Sequence, residues 1–91
     1  MIPFWPNKPE SSTMTRQRIE EVVRASLEQY LQDLRGTEPH ELHELFLSAA
    51  EKPVLEVVLR HAGDNQSLAA QWLGINRNTL RRKLREHQIR P

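Results

Sequence analysis

Apolar residues recur along this chain with the period of an α-helix. From about Thr15 to Arg35, residues Ile19, Val22, Val23, Leu27, Tyr30, Leu31 and Leu34 fall on one stripe, with Ser26 among them. Gly36 then suits the position just past a helix end, with Arg35 in the last turn. A second long pattern starts near Glu38–Pro39, since proline is acceptable in a first turn. Leu42, Leu45, Phe46, Ala49 and Ala50 form its first apolar stretch, and Val54, Leu55, Val57, Val58, Leu59 and Ala62 its second. Pro53 stands between them and removes the hydrogen bond to the Ala49 carbonyl. The apolar pattern resumes within a residue and no turn residues flank the proline, so one kinked helix is expected rather than two. Val54 to Leu59 is apolar at all but one position, which predicts burial on most sides.

Two shorter patterns follow. Gly63, Asp64 and Asn65 end the second helix and open a third, Gln66 to Leu73, with Asn65 as N-cap. Leu68, Ala69 and Leu73 form its apolar side, and the small Ala69 and Ala70 allow another helix to cross closely. Gly74 sits where the third helix must stop and the backbone is free to take a positive φ. Asn76 is the N-cap of a fourth helix, Arg77 to about His87, and Ile75 and Leu80 occupy the two positions of a hydrophobic staple. Leu80 and Leu84 mark its inward side. Residues 63–85 therefore read as a helix-turn-helix with its recognition helix at Asn76–Arg85. Met1 to about Thr13 carries Pro3, Pro6 and Pro9 at a spacing of three, together with Phe4 and Trp5. That segment reads either as a mobile tail or as a polyproline II ligand.

Charge adds a direction to this outline. The net charge is only +1, but residues 76–91 hold six Lys/Arg and one acid, whereas residues 1–75 hold seven Lys/Arg and eleven acids. Such asymmetry suits an end that meets a polyanion, or else a solvated basic helix end. The chain has no cysteine, which excludes disulfides and thiolate metal sites. No apolar run approaches the length of a membrane span and no signal-peptide core is seen, so a soluble, cytoplasmic protein is expected. His40 and His43 are three apart, but two ligands without a cysteine are too few for a metal site. His61 and His87 are isolated, no phosphate-binding glycine loop is present, and no nucleophile stands in a catalytic arrangement. Neither an enzyme nor a cofactor is expected.

A helical wheel divides the basic helix. Opposite Leu80 and Leu84 lie Asn78, Arg82 and Arg85; Arg77 and Arg81 lie on one flank and Thr79 on the other. A recognition helix enters the major groove N-terminal end first, so Asn76 and Arg77 have the best access to base edges. Arginine suits guanine and asparagine suits adenine. Thr79, Arg82, Lys83 and Arg85 are placed for phosphates. Asn65, Gln66 and Ser67 cap the preceding helix, where free N–H groups can hold a phosphate on the other lip of the groove. Asn65 and Asn76 also have a purely structural role as caps, and Arg77 one in pairing with an acid. Trp72 fits either inside the head or beside DNA. The long helices leave apolar stripes that one small chain does not fully cover. Two copies would bury them in a four-helix core with a helix-turn-helix at each end.

The segment D-N-Q-S-L-A-A-Q-W-L-G-I-N-R-N-T-L-R-R-K-L (residues 64–84) resembles the helix-turn-helix of the Fis family, the factor for inversion stimulation. The same module ends many bacterial enhancer-binding activators of the nitrogen-regulator type. The resemblance extends upstream to about Ile19 through Leu34-Arg35-Gly36, the H-E-L-F-L segment at His43–Leu47 and the proline of the second long helix. It implies an all-α fold with four helices per chain: two long dimerisation helices followed by a helix-turn-helix, in an intertwined homodimer. The expected divisions are a tail over 1–14, a helical dimerisation core over 15–62 and the DNA-binding region over 63–91.

The family's homodimers are nucleoid-associated, bind degenerate double-stranded DNA sites, bend them, and act in transcription, replication and recombination. By resemblance Asn76 and Arg77 meet bases. Asn65, Ser67, Thr79, Arg81, Arg82, Lys83 and Arg85 meet bases or backbone, and part of the specificity is indirect. Three features depart from the family pattern. Residues 1–18 do not match the β-hairpin arms that activate recombinases. Ala62-Gly63-Asp64 stands where the enteric protein has an Arg-Gly pair that touches RNA polymerase. Asn78 replaces a glycine within the recognition helix, with the prospect of an altered contact or site preference. Two other functions fit the residues: a site-specific activator working through its N-terminal tail, and a helical adaptor whose basic helix meets an acidic protein surface.

Overall fold

A computed structural model describes residues 9–90, with side chains from Thr13 onward. Phe4, Trp5 and the proline spacing of the tail lie outside the described residues, apart from Pro9. Four helices follow in order: α1 (Pro9–Asp33), α2 (Leu42–His61), α3 (Gln66–Leu73) and α4 (Arg77–Glu86), with no strand among the described residues. The chain divides into two compact units, one up to His40 and one from Glu41 onward.

The first unit is α1 and the turn after it. The helix begins six residues before the expected Thr15, at Pro9. Residues 9–14 carry no apolar period to announce them, but proline is well placed in a first turn. The helix ends at Asp33, two residues short of Arg35, because Arg35 and Gly36 take φ values of 52° and 87°. Its polar side is laced by Glu20 between Arg16 and Arg24, and by Gln29 donating to Asp33 at 2.9 Å. Ile19, Val22, Val23 and Leu31 are exposed.

The second unit holds the core. Leu55, Leu59, Ala62, Ala69, Ala70, Leu80 and Leu84 are buried together, and Val58, Leu68, Leu73, Ile75 and Ile89 pack around them. A fully buried leucine contributes about 1.5–3 kcal/mol, so a handful of them stabilises this small head. Helix α2 starts at Leu42 rather than near Pro39, because Glu41 takes a left-handed φ of 54°. It then runs unbroken through Pro53, as one helix. Only its C-terminal half reaches this core. Val54 and Val57, expected to be buried, are exposed beside the buried Leu55 and Leu59, and Leu45 and Leu47 are exposed as well.

The turns are closed by backbone geometry. At the end of α2 the Asp64 N–H reaches the Leu59 carbonyl at 2.9 Å and the Gly63 N–H reaches that of Arg60 at 3.0 Å. At the end of α3 the Ile75 N–H reaches the Ala70 carbonyl at 3.1 Å, and at the end of α4 the Ile89 N–H reaches that of Leu84 at 2.8 Å. Each closure places a left-handed residue after the helix: Gly63, Gly74 and Gln88. Asp64 is left-handed too, with φ 62°.

Candidate nucleic-acid interface

The candidate surface is built by α3, Gly74 and α4. Asn65 starts α3 by accepting the Leu68 N–H at 3.0 Å. Nine residues later Gly74, at φ 76°, turns the chain out of the helix. Asn76 starts α4 by accepting the Asn78 N–H at 2.7 Å. Ala69 and Ala70 are almost wholly buried, so no side chain longer than a methyl group separates α3 from its neighbours there. Leu80 is completely buried, and Ile75 packs on the same cluster, as the staple requires. The packing of the two short helices is thus set by Ala69, Ala70, Ile75 and Leu80.

On this frame the expected site residues separate. Asn65, Ser67, Asn76, Arg77, Asn78, Arg81, Arg82 and Arg85 are exposed, while Gln66 and Thr79 are half-buried. Among the described residues, no carboxylate lies within salt-bridge distance of Arg77, Arg81 or Arg85. Arg82 has a loose, solvent-exposed pairing with Glu86 at 3.6 Å, of a kind that contributes little. Four exposed arginines, two on a flank and two on the outer side, therefore stand on a helix of ten residues whose leucine seam fixes its position.

Lys83, expected at a phosphate, is placed differently from the arginines. Its ammonium lies 2.7 Å from Glu51 Oε2 on α2, and its side chain is half-buried. His87 Nε2 donates to the other oxygen, Oε1, at 2.8 Å. These bonds, first from Lys83 and then from His87, hold the Glu51 carboxyl below its ordinary value. Neither Glu51 nor His87 stood out in the sequence. The wheel carries a partial signal, since His87 lies roughly 20° from the Leu80 direction and Lys83 roughly 60° from it. Trp72, which the sequence allowed in either place, is half exposed on α3. Among the described residues no group of side chains suits a metal ion, and no helix is long and apolar enough to cross a membrane.

Two short helices crossing through a glycine turn, the second basic and N-capped by asparagine, make this a helix-turn-helix protein. The model of the family described as bacterial regulatory protein, Fis family, matches residues 46–87, from within α2 to the end of α4. Over 76 residues the chain is 51% identical to a Fis-like DNA-binding protein of Ralstonia nicotianae, spanning 84% of this chain and 99% of that protein. It is 49% identical over 71 residues to a Fis-like DNA-binding protein of Neisseria meningitidis serogroup A, with 78% and 90% spanned. To the DNA-binding protein Fis of Aliivibrio fischeri it is 42% identical over 74 residues, with 81% and 76% spanned. The chain belongs to the Fis family of bacterial regulatory proteins.

Proposed function

We propose that this chain is a homodimeric, double-stranded-DNA-binding and DNA-bending regulator of transcription, associated with the bacterial nucleoid in the cytoplasm and acting by binding rather than by catalysis. The observation that carries this reading is the exposed row of Arg77, Arg81, Arg82 and Arg85 on a helix whose angle Leu80, Leu84 and Gly74 fix. Asn76 and Arg77, at the tip, are the proposed base contacts. Arg81, Arg82 and Arg85, with Thr79 and Asn78, line the proposed phosphate-facing side, and Asn65, Gln66 and Ser67 hold the opposite strand's backbone at the start of α3. Lys83 is left out of this set. Three or four arginines against two groove-tip residues favour backbone grip and groove shape over base reading, which suits degenerate sites.

Dimerisation is supported by what a single chain leaves uncovered. Ile19, Val22, Val23 and Leu31 on α1, and Leu45, Leu47, Val54 and Val57 on α2, are all exposed. So many exposed apolar side chains, in each unit taken by itself, are unusual for a solitary small domain. The relatives that are named DNA-binding proteins support the choice of partner. Contact with RNA polymerase and activation of a recombinase are not carried over. Asp64 places an acid on the turn before α3, and the sequence of residues 1–18 does not match the hairpin arms of the resemblance.

Sedimentation with and without a duplex of about thirty base pairs tests the reading. The expected results are a free species of twice the 10.7 kDa chain mass and a complex of two chains per duplex. A folded monomer that leaves the duplex free would contradict both parts.

A further inference from the structure

Helix α4 is seated on the core by Leu80 and Leu84, both buried. Apolar contact is non-directional, so two leucines alone define the position of a short helix better than its rotation about its own axis. Rotation matters here, because it decides how Arg77 and Arg81 are presented to the groove. The side chain that opposes rotation is Glu51. Its two oxygens take Lys83 of α4 and His87, the residue that caps the end of α4 four positions on, at 2.7 and 2.8 Å. The same bonds occupy a cation. The Lys83 side chain is 25% exposed against 56% for that of Arg82.

We propose that Glu51 is a positioning residue for the recognition helix, and that by holding Lys83 against α2 it withdraws that charge from DNA. The head then meets the duplex with Arg77, Arg81, Arg82 and Arg85 and not with the fifth cation of α4. Glu51 thereby favours discrimination over simple grip: it steadies the tip that reads bases, and it removes a sequence-blind contact. This inference rests on the DNA-binding reading of α4.

The test is a salt series of duplex affinity on the full chain, with a preferred site and a scrambled duplex, below the melting temperature of every variant. In Glu51→Gln the freed Lys83 should steepen the log–log salt slope by about 0.9 for each recognition helix engaged. The ratio of affinities for site and scrambled DNA should fall. Lys83→Met in the native background should leave the slope as it is. Two results would overturn the proposal: Glu51→Gln that lowers the melting temperature but leaves slope and ratio native, or Lys83→Met that flattens the slope by about 0.9 per helix. Should Glu51→Gln fail to fold, the Lys83→Met slope decides alone. A native chain with no salt-dependent binding removes the DNA reading itself and this proposal with it, whereas a native slope with either overturning result removes only the proposal.

Discussion

The Asn76 side-chain oxygen lies 2.7 Å from the Asn78 backbone nitrogen, so the residue at the tip of the recognition helix is also the residue that starts it. One lone pair of that oxygen is committed to the cap, while the side chain also carries two amide donors and the residue is exposed. Capping and recognition can therefore be separated by chemistry. Asn76→Asp keeps the acceptor and should hold the melting temperature close to native, yet it removes the donors, adds an acid and should weaken duplex binding. Asn76→Ala should cost about 1 kcal/mol of stability by loss of the cap. Thermal denaturation beside binding isotherms for the two variants checks both expectations.

Gly74 takes φ 76°, and a methyl group added there would meet nothing within 4 Å. The cost of Gly74→Ala is thus backbone strain without a clash, about 1–2 kcal/mol. Gln88 takes a similar conformation, φ 58°, at the end of α4 without the freedom of glycine. Gln88→Gly should raise stability by about 1 kcal/mol. Urea denaturation of both variants should give shifts of opposite sign.

The carboxyl of Glu51 is held below its ordinary value of 4.5 by Lys83 and then by His87. A carboxyl depressed in the folded state stabilises the fold above its unfolded value, and that contribution is lost as pH falls through the folded value. Glu51→Gln should therefore melt lower than the native chain near neutrality, and the gap should close as the pH falls below 4.5 and through the lower folded-state value. Melting curves across pH check this; a gap that stays constant into acid would show that the charge of Glu51 is not its source.

Arg77 and Arg85 are both exposed arginines of α4, eight residues apart. Arg77 stands at the tip, so Arg77→Ala should cost about 1–3 kcal/mol at preferred sites and flatten the preference among sequences. Arg85 lies toward the other end, so Arg85→Ala should weaken all duplexes alike and reduce the salt slope by about 0.9 per helix. Competition binding with a panel of duplexes separates the two behaviours.

Local chemistry was readable from the residues where it is short-ranged. Asn65, Gly74 and Asn76 act as cap, stop and cap, Ala69 and Ala70 lie in the crossing, and Ile75 with Leu80 forms the staple. The passage of α2 through Pro53 was legible too, because apolar periodicity resumed at once. Features set elsewhere were not. The start of α1 at Pro9 runs through residues with no apolar period, so no stripe marked it. The start of α2 depends on the left-handed Glu41, a residue type without a signature for that conformation. The pairing of Lys83 with Glu51 spans 32 residues, and a wheel drawn for one helix cannot name a partner on another. For the same reason Val54 and Val57 were expected inside, although the head's own core ends at Leu55 and Leu59.

The central claim is that α4 carries its exposed arginines to DNA phosphates, and the salt dependence of duplex binding by the native chain tests it most directly. If Arg81, Arg82 and Arg85 of two heads each replace a counterion, log K plotted against log salt should fall with a slope of about −5. A slope near zero, or no duplex binding at low salt, would contradict it.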